Sequence, residues 1–382
     1  MSVAVICEFN PFHYGHRYLI QKARELTGET VIAVMSGSFT QRGEAAICSK
    51  FERAKTALQN GVDVVAELPA VYAVAAAQRF AGGGVAVASA FESVRYLAFG
   101  CETDDLALLQ AAADAADHSR VNDAVAKEMK NGAYYPRALE QAVRMVLGDG
   151  VADVLREPNN ILAVEYLRAL KGTGVKPLPI KRRGTAHDSD KVSGNFASAS
   201  KIREMLRTGE PADKLLPCVP DDVTEPQYLE RAALYRLRMM TAAEWAALPE
   251  VEEGLENRLV EAVKGYNSIE EILSAVKTKR YTHARLRRII ACALLGITEA
   301  LQAQPAAYVR VLGFSDAGEA LLRGCRLPVV TSAAKAMKSK APFCACLEKD
   351  ILATDIQAIS FKEIKPCGAD YYTKIIRQNS AK

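Results

Sequence analysis

Residues 3–16 read VAVICEFNPFHYGH, and this stretch decides the fold. Its start, Val3–Ile6, is a short apolar run rich in β-branched side chains, which is typical of a buried strand. An H-x-G-H sequence follows at His13–His16, and a helical spacing of apolar residues begins near Gly15. A strand that runs directly into a helix is the opening of a βαβ unit, so we expect a parallel sheet.

The same alternation continues along the chain. Similar apolar runs of four to six residues predict strands at Val31–Met35, Val62–Glu67, Tyr96–Phe99 and Pro177–Lys181. Helical patterns lie between them, with helices predicted at 50–59, 104–147 and 200–207. Strands that alternate with helices predict an α/β domain built on a parallel sheet.

The amino-acid composition changes near residue 211. Residues 211–226 contain four prolines and several acids, which is typical of a linker. Beyond them the pattern is mainly helical, with one strand candidate at Leu327–Thr331. We therefore predict an α/β domain over residues 1–210 and a mainly helical domain over residues 211–382.

Composition excludes several protein classes. The 382 residues are 49% hydrophobic and 25% charged, which is unlike a disordered chain, a collagen or a coiled-coil rod. No apolar run reaches the roughly 18 residues of a membrane-spanning helix, and the N-terminus lacks the pattern of a signal peptide. The nine cysteines contain no C-x-x-C pair, so neither a metal site nor a disulfide framework is expected. A cytoplasmic location without a membrane partner is the expectation.

Charge is unevenly distributed along the chain. Residues 221–276 carry 5 basic and 12 acidic side chains, whereas residues 277–382 carry 18 basic and 8 acidic ones. A basic C-terminal third in a protein of net charge +4 indicates a polyanionic partner.

The H-x-G-H sequence carries the predicted chemistry. Ligands of open α/β sheets bind beyond the carboxyl ends of the strands, and a helix N-terminus offers free N–H groups to phosphate. His13 and His16 are predicted to stabilise charge that develops on a phosphate, and Gly15 allows the backbone to approach closely. The structural alternative is two surface histidines at the start of a helix.

A second element lies at residues 196–203, which read FASASKIR. The hydroxyls of Ser198 and Ser200 at a helix start, with Arg203 one turn later, suit the outer phosphates of a nucleotide. A capped surface helix would have the same sequence, so the element gains weight only beside H-x-G-H.

Together these motifs resemble the nucleotidyltransferase superfamily that shares its fold with class I aminoacyl-tRNA synthetases. Along essentially its whole length the chain resembles one family within it, the bacterial tRNA(Met) cytidine acetate ligases. The matching stretches are 8–16, 35–44, 67–69, 99–102, 135–137, 158–162, 180–182, 196–203 and 277–282. Departures are small, with Cys101 where the family usually has serine and Ala45 where it often has proline.

The resemblance implies a Rossmann-like nucleotidyltransferase domain that uses ATP, with Mg²⁺, to activate acetate as acetyl-adenylate. The acetyl group would then pass to the exocyclic amine of the wobble cytidine of elongator tRNA(Met), giving N4-acetylcytidine. The implied ATP-binding residues are Ile6, Cys7, Glu8, Phe9, Asn10, Pro11, Phe12, His13, Tyr14, Gly15, His16, Arg17, Tyr18, Leu19, Gly100, Asn159, Asn160, Arg182, Ser198, Ser200 and Arg203.

Several of these residues also have structural interpretations. Gly100 suits a turn, and one of Asn159 and Asn160 suits a helix cap. Arg182 stands in a charge run with Lys181 and Arg183. Ser36-Gly37, at the end of the second strand, is a further candidate for bordering the substrate, and Arg42 in the following loop is a candidate for contact with acetate or phosphate.

A basic segment is predicted to contact the RNA. Residues 277–288 carry six basic side chains, and no acid occurs from 272 to 298. Apolar residues give the segment a helical inner face, with Arg285 and Arg288 predicted on one outer side. Lys277, Lys279, Arg280, Arg285 and Arg288 are the predicted tRNA-binding residues. A solvated helix face is the structural alternative.

Two other functions remain open at this point. An adenylyl- or cytidylyltransferase acting on a small phosphorylated cofactor precursor would account for His13 and His16, but not for the basic second half. A non-catalytic RNA-binding protein would account for the basic half, but not for the intact H-x-G-H.

Overall fold

The computed structural model describes residues 1–182 and 194–379. Within them one sheet has the order β5-β4-β1-β2-β3-β6-β7, with β8 paired to β6. The strands are β1 (Ser2–Cys7), β2 (Thr30–Ser36), β3 (Val64–Leu68), β4 (Val94–Cys101), β5 (Lys176–Lys181), β6 (Val309–Ser315), β7 (Val329–Val330) and β8 (Ile376–Gln378). Strands β1 to β5 are parallel, which confirms the predicted α/β fold.

Helices connect these strands and continue beyond them. The first half contains α1 (Tyr14–Thr27), α2 (Lys50–Gln59), α3 (Ala70–Ala73), α4 (Ala77–Ser89), α5 (Leu106–Ala116), α6 (Ser119–Lys130), α7 (Tyr135–Leu147), α8 (Asp149–Val154) and α9 (Pro158–Leu170). The second half contains α10 (Ala199–Thr208), α11 (Pro226–Arg238), α12 (Ala242–Ala246), α13 (Leu255–Gly265), α14 (Ile269–Val276), α15 (His283–Leu295), α16 (Glu299–Gln302), α17 (Asp316–Leu322), α18 (Ala333–Lys338), α19 (Cys344–Ile359) and α20 (Ala369–Tyr372). The second half is mainly helical, as predicted.

Both faces of the sheet are covered by helices. Alternate side chains of β1 point to opposite faces, so Val5 joins an apolar cluster with Ile20 of α1, while Ile6 joins the cluster that includes α4. Helix α4 approaches β1 closely at Gly84, where an added Cβ would lie 2.7 Å from Cδ1 of Ile6.

A crevice opens where the strand order reverses. Strand β1 lies between β4 on one side and β2 on the other, so the helices that follow β1 and β4 leave in opposite directions. Such a switch point is the usual ligand site of an open α/β sheet. The H-x-G-H sequence lies there, at the carboxyl end of β1.

The second half also contributes strands to this sheet, beyond the one strand candidate predicted there. Strand β6 pairs antiparallel with β3, and β7 and β8 extend from β6. Only β7 falls within a predicted strand candidate. The boundary at residue 210 stays a prediction, but the sheet crosses it. Strand β6 was not predicted because it contains Arg310. A buried strand tolerates an arginine only where oppositely charged partners neutralise it, and here those partners are distant in sequence.

Those partners form a buried charge cluster of Lys50, Glu67, Arg310 and Asp370, each less than a tenth exposed. Lys50 Nζ lies 2.7 Å from Glu67 Oε1 and 2.8 Å from Asp370 Oδ1. Arg310 lies 3.0 Å from Glu67 and 2.6 Å from Asp370. Two cations thus face two carboxylates, and the cluster joins α2 and β3 to β6 and α20.

A third carboxyl group, Asp350 of α19, adjoins the buried charge cluster. Its Oδ1 accepts a hydrogen bond of 2.7 Å from the backbone N–H of Ala70, and its Oδ2 accepts one from Tyr308. Burial and the negative charge of Glu67 raise the pKa of Asp350 to about 8. The neutral cluster has no spare cation for it, so the protonated form is favoured at neutral pH.

This raised pKa predicts a pH-dependent stability. The unfolded Asp350 has a pKa near 4, so its contribution is complete below about pH 4 and is lost as pH rises through about 8. We expect the free energy of unfolding to fall by about 2 kcal/mol between pH 6 and pH 8 from this group. Asp350→Asn, which mimics the neutral acid, should remove that part of the fall. Urea titrations of both proteins at the two pH values would test this, and parallel losses would contradict it.

Candidate active site

A cavity of about 380 Å³ occupies the crevice at the carboxyl ends of β1, β4 and β5. Fourteen of the predicted ATP-binding residues line it: Ile6, Cys7, Glu8, Phe9, Asn10, His13, Gly15, His16, Tyr18, Leu19, Gly100, Asn159, Arg182 and Arg203. Arg42, the weaker candidate from the loop after β2, also lines the cavity. The geometry therefore brings together most of a set that is spread over residues 6–203.

The two histidines are fixed by the first turn of α1. His13 is the N-cap, and its Nδ1 accepts a hydrogen bond of 3.0 Å from the backbone N–H of Gly15. The backbone N–H of His13 donates to Nδ1 of His16 at 3.2 Å. The two rings stack with their centroids 3.7 Å apart. Because each Nδ1 accepts, the proton of each neutral ring is assigned to Nε2, which makes both rings donors.

The surroundings keep both rings neutral. Burial, with the positive charges of Arg182 and Arg203, lowers the pKa of His13 to about 3. Burial, with His13 and Arg182, holds the pKa of His16 well below its usual value. Neutral imidazoles beside two arginines donate hydrogen bonds without titrating, which suits the stabilisation of charge on a phosphate.

Gly15 is required by the histidine pair. A Cβ added at this position would lie 2.8 Å from Cε1 of His13 and 2.9 Å from its Nδ1. Any larger residue would displace the ring that caps α1. The glycine thus serves the position of a side chain as well as the approach of a ligand.

A buried arginine holds the ends of β1 and β2 together. Arg53 of α2 donates to the backbone oxygen of Glu8 at 2.6 Å, to that of Ser36 at 3.0 Å, and to that of Gly37. The Glu8 carboxylate in turn accepts a 2.7 Å hydrogen bond from the backbone N–H of Gln41. Burial raises the pKa of Glu8. Ser36 and Gly37, candidates for bordering the substrate, lie behind this arginine and do not line the cavity.

The two asparagines at the start of α9 have different positions. Asn159 lines the cavity, and its Nδ2 donates to Glu102 Oε1 at 2.5 Å. Asn160 is buried, and its Oδ1 accepts from the backbone N–H groups of Glu102 and Thr103 at 3.0 and 3.3 Å. Glu102 Oε2 also accepts from the backbone N–H of Asn160. Asn160 therefore orders the loop after β4, while Asn159 faces the ligand space.

Glu102, which is not among the predicted site residues, is expected to position Asn159. Glu102→Ala should raise the KM for ATP about tenfold with a smaller change in kcat, because it frees a polar side chain in the binding site. Glu157→Ala is a matched control, since Glu157 is exposed beside the same helix start and makes no side-chain cap bond. Steady-state kinetics at varied ATP would check this; equal effects of the two substitutions would contradict it.

Helix α10 presents one of its three predicted residues to the cavity. Ser198 is the N-cap and accepts from the backbone N–H of Lys201 at 3.1 Å. Arg203 donates to Ser200 Oγ at 3.2 Å and to the backbone oxygen of Asn10 at 2.9 Å. Arg203 lines the cavity, whereas neither serine does. The serines thus cap the helix and orient the arginine.

Other predicted residues support the site from outside the cavity lining: Pro11, Phe12, Tyr14 and Arg17. Phe12 is buried, with its ring 4.8 Å from Phe9 and 5.8 Å from His16 between centroids. Arg17 points to solvent. Arg183 lies outside the described residues.

The lining also contains aromatic and apolar residues that were not among the predicted ATP-binding residues, although four of them lie in the matching stretches: Phe80, Phe99, Ile161, Leu162, Tyr166 and Phe196. Helical spacing offered a signal for two of them, because Leu162 and Tyr166 follow Asn159 at i+3 and i+7 on one face of α9. The ring of Tyr166 lies 5.7 Å from that of Phe99. These rings provide apolar surface for a flat base.

The basic segment has two parts. Lys277, Lys279 and Arg280 are exposed, and Arg280 contacts Glu252 at 2.5 Å. Arg285 and Arg288 are half-buried, which corrects their predicted place on an outer side. Arg285 contacts Glu252 at 2.9 Å, and Arg288 binds Glu250 through two hydrogen bonds of 2.7 and 2.6 Å. Glu252 lies 33 positions from Arg285 in the sequence, and Glu250 lies 38 positions from Arg288. Both acids are therefore outside the acid-free window of residues 272–298.

A hairpin links this segment to the cavity. Residues 38–46 fold back through a bridge between Phe39 and Ala45, and the tip carries Gln41 and Arg42, which line the cavity. At Gly43 an added Cβ would lie 2.6 Å from the backbone of Arg287 in α15. Glu44 contacts Arg287 at 3.0 Å. We call the exposed residues Lys277, Lys279 and Arg280 the basic loop. Helix α15, which follows the basic loop, therefore packs directly on a loop of the site.

Within residues 1–182 and 194–379, no three His, Cys, Asp or Glu side chains form a group that would hold a metal ion. No helix in the described part of the chain combines the length and apolar character needed to cross a membrane.

Comparison with known proteins gives consistent matches. The family model for the HIGH Nucleotidyl Transferase matches residues 1–370. A protein of Thermoanaerobacter sp. (strain X514) named tRNA(Met) cytidine acetate ligase is 34% identical over 400 aligned positions, covering 98% of this chain and 99% of that protein. A protein of the same name from Caldanaerobacter subterraneus subsp. tengcongensis is 36% identical over 406 positions, with the same coverage.

Two solved structures of similar fold agree with these sequence matches. Thermotoga maritima TmcAL in its apo form I has a TM-score of 0.91 at 29% identity, covering 99% of this chain and 100% of that one. The same protein bound with alpha-thio ATP has a TM-score of 0.89 with the same identity and coverage. The fold thus matches one that has been solved with a bound nucleotide analogue.

Proposed function

We propose a function from the premise that this chain belongs to the HIGH nucleotidyl transferase family and, within it, to the tRNA(Met) cytidine acetate ligases. The protein uses ATP to activate acetate as acetyl-adenylate, with release of pyrophosphate. It then transfers the acetyl group to the exocyclic amine of the wobble cytidine of elongator tRNA(Met), forming N4-acetylcytidine.

One observation carries this proposal within the site itself. Two neutral imidazoles stack at the N-terminus of α1 and line a cavity at the carboxyl ends of β1 and β4. Both have Nε2–H groups available, and Arg182 and Arg203 line the same cavity. Donors that are already oriented cost no reorganisation when charge develops on a phosphate.

In the first step an acetate oxygen attacks the α-phosphorus of ATP, and the bond to pyrophosphate breaks in line. His13 and His16 donate through Nε2 to the phosphate oxygens as negative charge increases. Arg203 and Arg182 pair with the outer phosphates, for which a guanidinium fork is suited. Gly100 and the neighbouring Phe99 leave a flat, apolar place for the adenine.

In the second step the cytidine amine attacks the acetyl carbonyl, the bond to AMP breaks, and the amine loses a proton. The mixed anhydride is already activated, so no serine or cysteine nucleophile is needed. Cys7, which lines the cavity, is consistent with a mechanism without a nucleophilic side chain. Burial raises the pKa of its thiol and keeps it in the unreactive protonated form. The cytidine must leave its loop to reach the cavity, as unpaired bases do in RNA recognition.

Mg²⁺ fits the proposal as an ion that binds together with ATP. The described residues provide no protein cage for a metal, and Mg²⁺ is commonly held by substrate phosphates, water and one or two carboxylates. Glu8 contributes a carboxylate to the cavity lining. Bound in this way, the ion would neutralise charge on the departing pyrophosphate.

The RNA is assigned to the second half of the chain. Lys277, Lys279 and Arg280 are exposed and suit contact with phosphates. Arg285 and Arg288 act through Glu252 and Glu250, which hold the helix beneath that loop. Residues 1–210 then carry the chemistry and residues 211–382 the RNA contacts, in a cytoplasmic enzyme.

The deciding experiment is acetate-dependent exchange between ATP and labelled pyrophosphate. It is run with and without unmodified elongator tRNA(Met). Exchange that requires acetate establishes acetyl-adenylate formation, and transfer of labelled acetate to the tRNA cytidine completes the reaction. Absence of exchange under both conditions would contradict the proposal, and exchange with a phosphorylated cofactor precursor would favour a small-molecule nucleotidyltransferase.

A further inference from the structure

Helix α11 has an exposed face that the proposed function does not use. Arg231, Tyr235 and Arg238 follow one another at i, i+4 and i+7, so they share one side of the helix, and Met239 continues it. Tyr235 is 69% exposed and Met239 is 61% exposed. Large side chains this open to solvent, in a row and flanked by arginines, indicate a contact surface.

A second exposed ring adjoins the end of this helix. Arg238 donates to the backbone oxygen of Tyr266 at 3.3 Å and to Asn267 Oδ1 at 3.0 Å. The side chain of Tyr266 is 43% exposed. We call Arg231, Tyr235, Arg238, Met239 and Tyr266 the α11 face.

The acids of this region are occupied elsewhere. Residues 221–276 have an acidic excess, yet the carboxylates nearest in sequence bind other groups. Glu230 accepts from the backbone N–H of Ile269, and Glu244 caps α12. Glu250, Glu252 and Glu270 pair with arginines of residues 280–288. The α11 face itself contains two arginines, and the acid that adjoins it, Glu271, accepts from the backbone N–H groups of Asn267 and Ser268.

The α11 face lies one short helix away from the exposed basic loop. Helix α14 separates Asn267 from Lys277, and its eight residues span roughly 12 Å. The basic loop and the α11 face are thus at opposite ends of α14. That separation is small compared with an RNA stem and loop.

We propose that the α11 face is a second RNA-contact surface, where unpaired bases of the tRNA stack on Tyr235 and Tyr266 while Arg231 and Arg238 contact adjacent phosphates. This inference rests on the proposed function, because it takes the tRNA substrate as the occupant. Stacking on tyrosine beside arginine is the common way that proteins hold unpaired RNA. A second copy of the chain is a poorer occupant, since a two-fold contact would bring the same arginines towards each other.

The test measures tRNA affinity with the full-length protein. Tyr235→Ala and, independently, Tyr266→Ala should each weaken binding of unmodified elongator tRNA(Met) about tenfold. Tyr235→Phe keeps the ring and should bind as the wild type does. Arg231→Ala and Arg238→Ala should each reduce the slope of log affinity against log salt by about one, whereas Arg231→Lys should not. Pyrophosphate exchange without tRNA should be unchanged in all of them.

The outcomes separate this inference from the proposed function. Wild-type affinity in both tyrosine-to-alanine variants would overturn the inference and leave the acetate-ligase proposal standing. A dimer that dissociates in Tyr235→Ala without a change in tRNA affinity would overturn it in favour of a second copy. Failure of the wild type to bind tRNA would contradict both.

Discussion

Replacing His16 with alanine is expected to lower kcat for acetate-dependent pyrophosphate exchange by about 10² to 10³-fold, the usual cost of one lost donor at a charged transition state. The KM for ATP should change little, because the donor acts mainly as charge increases. The ring of His16 is oriented by the backbone N–H of His13, so its Nε2 faces the cavity in a fixed position. Helix α1 keeps its N-cap in this variant, because His13 supplies it.

His13 allows the structural and chemical contributions to be separated. His13→Asn retains a good N-cap acceptor but removes the imidazole, whereas His13→Ala removes both. Both substitutions should reduce kcat similarly to His16→Ala, while only His13→Ala should also lose about 1 kcal/mol of stability. Exchange kinetics and urea unfolding on the same samples would check this. Full activity in His13→Asn would show that the ring is needed only as a cap.

The lowered pKa values of His13 and His16 predict how the reaction depends on pH. With the pKa of His13 lowered to about 3, the ring stays neutral at and around neutral pH. The exchange rate should therefore show no inflection near the ordinary histidine pKa of about 6.5. An inflection there that disappears in His13→Asn would indicate a protonated imidazole and would contradict the neutral-donor role.

The second large effect concerns the buried charge cluster. Lys50→Met should destabilise the protein by about 3–5 kcal/mol, because removal of one partner leaves a carboxylate buried without its counter-charge. Glu67 and Asp370 would then share Arg310 alone. Urea unfolding would measure the loss, since the midpoint should fall while the slope stays constant.

A double variant distinguishes unbalanced charge from lost packing. Lys50→Met combined with Glu67→Gln removes one charge of each sign, so it should be more stable than Lys50→Met alone. If the double variant were instead less stable by the sum of the two single losses, packing would be the cause. Lys55→Met, at an exposed position of α2, is the matched control and should change stability little.

The sequence predicted the parts of this structure that depend on local patterns. Strands β1 to β5 and helix α1 follow from apolar periodicity, and the position of His13 and His16 follows from the strand and helix on either side. Their chemistry was predictable because a helix N-terminus at a strand end has known physical properties. The family resemblance added Gly100, Asn159 and Arg182, which the cavity brings beside the histidines.

What the sequence did not predict depends on contacts between distant residues. Strand β6 was missed because Arg310 requires Glu67 and Asp370, which lie 243 and 60 positions away in the chain. Arg285 and Arg288 were placed on an outer side because Glu250 and Glu252 lie outside the local window. Glu102 and Arg53 carry no motif, and their roles arise only when α9 and α2 pack against the sheet.

Strands β6, β7 and β8 are synthesised last, and this order affects how the protein folds during translation. Strand β3 is an edge until β6 pairs with it, and Lys50 and Glu67 lack half of their partners until residues 310 and 370 arrive. During synthesis the nucleotide-binding half therefore leaves the ribosome with an open β-edge and with a Lys50–Glu67 ion pair that lacks its two further partners. An edge of this kind invites pairing with other chains. The nascent first half is the species that most needs a chaperone, and a gene fragment ending near residue 210 would keep that exposure permanently.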